Sequence, residues 1–114
     1  MTINPYFGSD ALKPFFDFYD RGVFVVCLSS NNGANDFQLQ DLFLKVGKKV
    51  REWNVLGNAG LVVGATRPDY ISELRKICGK TPLLIPGIGA QGGELEKTLF
   101  FADDGSKFPY LINA

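Results

Sequence analysis

Three short apolar runs punctuate the chain: "GVFVVCL" at 22–28, "GLVVGA" at 60–65 and "PLLIP" at 82–86. None alternates apolar with polar residues, and their continuous, β-branched character predicts strands buried on both faces, as in a parallel sheet. Between the runs the period lengthens. Within 37–57, Leu39, Leu42, Phe43, Val46, Val50 and Trp53 recur at helical spacing and predict a helix. Residues 67–79 have Pro68 near a helix start and Gly79 at its end. Residues 9–22 predict a third helix, which Pro14 shortens or bends. "TINPY" (2–6) and "FPYLINA" (108–114) read as strands at the two ends.

The predicted order is β-α-β-α-β-α-β-loop-β. Such alternation implies an α/β fold with a parallel sheet and right-handed crossovers. With 114 residues, 46% of them apolar and 21% charged, the chain is globular and the size of one ordinary domain. A chain that begins and ends within strands leaves edges that natural domains usually avoid. Residues 1–114 are therefore expected to form a single partial domain, a piece of a larger closed sheet.

Charge and composition narrow the chemistry. Twelve Lys+Arg balance twelve Asp+Glu, so no overall field recruits nucleic acid or an anionic membrane surface. No apolar run approaches the ~18 residues of a spanning helix, and the start lacks a signal-peptide pattern. The chain has no histidine, which removes Ser-His-Asp and Cys-His nucleophile systems and any His-ligated metal. Cys27 and Cys78 do not have metal-site spacing, and Cys27 inside "VFVVCL" reads as a small buried side chain. A reducing, cytoplasmic setting is the simpler expectation, with no metal.

Ligands of parallel α/β folds meet the loops beyond the carboxyl ends of the strands. Here those are 4–10, 29–36, 64–69 and 86–94, rich in Gly, Asn, Ser, Thr and Gln and poor in charge. They suit gripping a ligand better than moving protons. In the last loop Gly87, Gly89 and Gly92 fit G-x-G-x-x-G. A dinucleotide fingerprint opens the first βα turn, with an acidic residue about 20 positions on at the end of the next strand. This pattern comes late, and the next strand ends in Leu111, Ile112 and Asn113. A bare turn remains open as an alternative. A phosphate loop late in a (β/α)8 barrel fits better, because backbone N–H groups there commonly hold phosphate.

"TINPYFGSD", "VFVVCLSSNNGA", "GLVVGAT" and above all "LLIPGIGAQGG" resemble orotidine 5′-phosphate decarboxylase, the family that makes UMP. The resemblance covers essentially the whole chain. It implies the C-terminal half of a (β/α)8 TIM-type barrel, from about the fourth strand to the start of the eighth. It also implies that Ser30 hydrogen-bonds the pyrimidine, that Pro86 and Ile88 line the wall near the base, and that Gln91 bridges pyrimidine and phosphate. Gly89, Gly92 and Gly93 shape the phosphate loop. The implied partner is a pyrimidine mononucleotide (OMP or UMP), without a cofactor, and self-association as a homodimer or otherwise is expected. Asn31 and Asn32 read more simply as shaping the turn before Gly33.

The family's catalysis rests on a D-x-K-x-x-D motif, and none occurs here. Asp10, Lys13 and Asp17 have the wrong spacing and read as a solvated helix face. The family's phosphate-gripping arginine would follow the eighth strand, beyond Ala114; Arg51 and Arg67 do not align with it and read as helix-end or surface charges. No catalytic residue is therefore assigned, and the chain alone is expected to be inactive. The alternative is a non-catalytic nucleotide- or phosphate-binding half-barrel that self-associates. Another member of the phosphate-binding barrel superfamily is a weaker option.

Overall fold

The computed structural model describes residues 1–89, 94–107 and 109–113. Five strands form one sheet: β1 (Thr2–Ile3), β2 (Val23–Leu28), β3 (Ala59–Val63), β4 (Leu83–Pro86) and β5 (Tyr110–Asn113). They lie in sequential order and every neighbouring pair is parallel. Helices α1 (Ser9–Phe16), α2 (Ala34–Phe37), α3 (Phe43–Trp53), α4 (Pro68–Cys78) and α5 (Leu95–Ala102) fill the connections. Sequential order with right-handed crossovers puts the helices on one side of the sheet. An order without reversal also lacks the switch-point crevice of a doubly wound dinucleotide fold.

The two faces of the sheet differ accordingly. Val25, Leu61, Leu83 and Ile85 are fully buried, and the Cys27 thiol reaches the Phe43 carbonyl of α3 at 3.1 Å. On the alternate positions, Val26, Val62, Leu84 and Leu111 are in register across four strands. Phe24, Val26 and Leu84 are only half-buried, and Leu111 is 53% exposed. Among the described residues this second apolar face is less deeply buried than the first, Val62 at its centre being 9% exposed, and it corresponds to the inner face of a barrel.

Several elements depart from their expected bounds. The helix expected over 37–57 is broken: helical geometry fails at Gln40 (φ −90°, ψ 58°) and Asp41 (φ 71°, ψ −10°), and α3 starts only at Phe43. The segment expected as a loop between β4 and β5 contains α5, where Thr98 is fully buried and Phe100 is 78% exposed. That inverted polarity hides the helix from a periodicity reading. The expected strand 2–6 shrinks to Thr2–Ile3, because the Asn4 side chain accepts the Tyr6 N–H at 2.7 Å and turns the chain. Helix α1 stops at Phe16, short of the expected 22, with Pro14 inside its last turn.

Candidate functional site

The carboxyl ends of β2, β3 and β4 bring three of the ligand-type loops together. The Gly64 N–H donates to the Leu28 carbonyl at 2.7 Å, and the Ala65 N–H donates to the Pro86 carbonyl at 2.8 Å. Thr66 Oγ1 donates to the Ser30 carbonyl at 2.9 Å. Ser30 and Pro86, 56 positions apart by their numbers, thus flank one short segment, Gly64–Thr66.

Gly64 is where the first two loops touch. A Cβ at this position would lie 2.6 Å from Ser30 Cα and 2.7 Å from Ser30 N, and backbone cannot swing aside as a side-chain tip can. The Gly64→Val chain is therefore expected to displace the Ser30 loop at a cost of about 1–3 kcal/mol. A thermal unfolding midpoint equal to that of the parent would show that the close approach is unimportant.

Ser29, the residue before Ser30, is held by Gln38. Gln38 Oε1 accepts the Ser29 N–H at 2.7 Å, and Gln38 Nε2 donates to Ser29 Oγ at 2.9 Å. Ser29 Oγ in turn donates to Asn31 Oδ1 at 2.6 Å. The Asn31 and Asn32 carbonyls accept the N–H groups of Ala34 and Asn35, so these asparagines do shape the turn into α2.

The other expected residues fall as follows. Pro86 is half-buried on the same alternation as Leu84, the less buried face of the sheet. Ile88 is half-buried and packs on the core beside it. Gly87 and Gly89 have φ of 99° and 77°, a backbone region that excludes side chains in practice, so the turn itself requires glycine at both. Gln91, Gly92 and Gly93 lie outside the described residues. Arg67 is more than a surface charge: it is half-buried, its Nη2 donates to the Asn31 carbonyl at 3.3 Å, and its Nε is buried without a hydrogen bond among the described residues. Arg51 is exposed and donates to the Ile77 carbonyl at 2.9 Å.

Apart from Arg67, the described groups at the junction offer neutral hydrogen bonding. Asp17 and Lys13 form an exposed ion pair at 2.7 Å on α1, as a solvated helix face does. Both cysteines are free and buried. Burial, and then the neighbouring Cys78, push the Cys27 thiol far up; burial also pushes Cys78 up against the opposing charge of Arg75. Neither is poised as a thiolate nucleophile. Among the described residues no group of three or more Cys, Asp or Glu is placed to hold a metal ion, and no helix is long and apolar enough to cross a membrane.

A sequential parallel sheet, with helices on one face and ligand-type loops gathered at the carboxyl ends of its strands, is a section of a (β/α)8 barrel. By sequence and by fold, the chain matches the C-terminal part of the orotidine 5′-phosphate decarboxylase family. It is 50% identical over 106 residues to orotidine 5′-phosphate decarboxylase of Roseiflexus sp. (strain RS-1), a match covering 87% of this chain and 39% of that protein. The structure of Leishmania donovani OMP decarboxylase superposes with a TM-score of 0.91 at 39% identity, over 99% of this chain and 46% of that one. Leishmania donovani UMP synthase superposes with a TM-score of 0.89 at 42% identity, over 99% of this chain and 27% of that one. The chain matches no family-level sequence model. It spans less than half the length of these relatives.

Proposed function

We propose that residues 1–114 form the nucleotide-gripping half of an orotidine 5′-phosphate decarboxylase barrel, holding the pyrimidine and phosphate of OMP or UMP. The observation that carries this reading is the junction of Ser30, Gly64–Thr66 and Pro86 at the carboxyl ends of three adjacent strands. In this reading Ser30 hydrogen-bonds the base, Pro86 and Ile88 wall it, and Gln91 spans base and phosphate over the loop of Gly89, Gly92 and Gly93. Neutral donors on rigid strand ends hold the substrate in one pose and exclude water from one side. The charges that favour loss of CO2 come from strands outside these residues, and the reaction uses no cofactor.

The phosphate is held by loop N–H groups more than by the dipole of α5, since Glu94 and Glu96 already place negative charge at the start of that helix. Titration with UMP, followed by NMR, tests the reading. Shifts are expected at Ser30, Ile88 and Gly89, with uridine binding more weakly than UMP for want of the phosphate. Unperturbed resonances at all three residues at saturating nucleotide would overturn it.

The less buried apolar face and the open edges at β1 and β5 favour a second reading, in which the half-barrel binds nucleotide without catalysis and covers itself by self-association. Sedimentation separates the two. A species that stays monomeric at high concentration excludes the self-associating module.

A further inference from the structure

The segment between α2 and α3 has an irregular backbone close to the site, and its one half-buried polar side chain, Gln38, reaches back to Ser29 in the loop before Ser30. A continuous helix through 34–53 would carry Gln38 along with α3. Instead the chain breaks at Gln40 and at Asp41, whose φ of 71° is the sole positive value among the described non-glycine residues. A left-handed residue costs about 1–2 kcal/mol and persists where the surroundings over-determine it. What it leaves in place here is a single amide that grips two polar groups of Ser29, the N–H at 2.7 Å and Oγ at 2.9 Å.

We propose that Gln38 is a positioning residue that sets where the Ser30 loop stands, and through it how Ser30 meets the pyrimidine; the second half of this rests on the nucleotide-binding reading above. The loop is clamped from two sides. From β3, Gly64 allows close backbone approach and Thr66 holds the Ser30 carbonyl. From the α2–α3 segment, Gln38 fixes Ser29 and, through Ser29 Oγ, orients the Asn31 side chain. Removing the second clamp leaves the Ser29 N–H without its partner in a part-buried setting, so the loop moves to rehydrate it. Gln38 touches neither base nor phosphate in this scheme, and its effect on binding is indirect.

The test compares the full chain with Gln38→Leu, which loses both bonds, and Gln38→Glu, which keeps an oxygen for the Ser29 N–H but not the donor to Ser29 Oγ. In Gln38→Leu, hydrogen exchange at the Ser29 amide is expected to rise about tenfold or more and the Ser30 resonance to move, with UMP affinity falling about tenfold. Gln38→Glu should restore Ser29 protection at least in part, a rescue that a generic packing role would not show. Should Gln38→Leu fail to fold, the same two readouts in Gln38→Ala, which also loses both bonds, decide the matter in its place.

Unchanged Ser29 exchange and Ser30 shift in Gln38→Leu would overturn the positioning role. Raised exchange with unchanged UMP affinity would overturn its link to the ligand. If the parent chain itself binds no UMP, the nucleotide reading fails, and Ser29 exchange with the Ser30 shift still decides whether Gln38 sets the loop.

Discussion

Given orotidine 5′-phosphate, the isolated chain is expected to release CO2 no faster than buffer. Preorganised charge usually contributes more to catalysis than any other single effect, and removing even one neutral donor of an oxyanion hole costs about 3–4 kcal/mol of transition-state stabilisation. The described loops supply Ser, Thr, Asn and backbone groups around the junction, with no acid–base pair and no lysine–aspartate array among them. Grafted in place of the matching segment of the Roseiflexus enzyme, to which it is 50% identical, the same sequence is expected to support turnover. In the chimera the remaining strands of the Roseiflexus enzyme supply the charges that the proposed reading places outside these residues. Decarboxylation by the isolated chain at a rate comparable to the full-length enzyme would defeat the half-barrel reading.

The Arg75→Met chain is expected to lose about 3–5 kcal/mol, the usual consequence of breaking a buried charged cluster by removing one partner. Against the ~5–15 kcal/mol that holds a domain together, this is enough to unfold a marginal one. Arg75 has a side chain only 10% exposed. It donates from Nε and Nη2 to the Ala102 carbonyl at 3.0 and 2.5 Å, and from Nη2 to Pro109 at 2.9 Å. Its Nη1 donates to the carbonyls of Gly79 and Thr81 at 3.1 and 2.6 Å. One guanidinium thereby ties the ends of α4 and α5 to the starts of β4 and β5. Lysine cannot substitute, because a single ammonium lacks the planar fork that reaches four carbonyls.

Asp104 adds a pH signature to this cluster. Its Oδ2 lies 3.7 Å from Arg75 Nη1, and its Oδ1 accepts the Ser106 N–H at 2.8 Å. Burial pushes its carboxyl up, but the Ser106 bonds and the charges of Arg75 and Lys80 outweigh that and hold it below the ordinary value of 3.8. A depressed folded value means stability that is present above the ordinary value and lost as pH falls through the folded one. Urea midpoints should therefore fall for the parent on acidification below pH ~4, and fall less for Arg75→Met. Equal midpoints for the two chains at neutral pH would show that the cluster does not hold β5.

Much of the frame was legible because its signals are local. Helix α4 runs from Pro68 to Cys78 within the expected 67–79, bounded by a proline and a glycine whose backbone preferences act at once. The central strands fall within two residues of their apolar runs, since burial on a parallel sheet needs nothing beyond the run itself. The break at Gln40–Asp41 was not legible. Leu39, Leu42 and Phe43 keep helical spacing across it, and the contact made beside it, from Gln38 to Ser29 nine positions back, leaves no mark on that spacing. Helix α5 was equally hidden, because tertiary placement buries Thr98 and exposes Phe100 against their ordinary preferences.

The site divides in the same way. The sequence alone determined that ligand-type loops follow the strands, that Gly87 and Gly89 turn the chain, and that neither histidine nor a D-x-K-x-x-D pattern occurs within residues 1–114. Such features depend on residue type and on spacings of a few positions. Only the tertiary structure decided that Gly64 lies against Ser30, that Thr66 and Gln38 hold neighbouring residues of the same loop, and that one face of the sheet is less buried than the other among the described residues. Those contacts join segments as much as 36 positions apart, and they exist because the register of three parallel strands sets which loop ends meet.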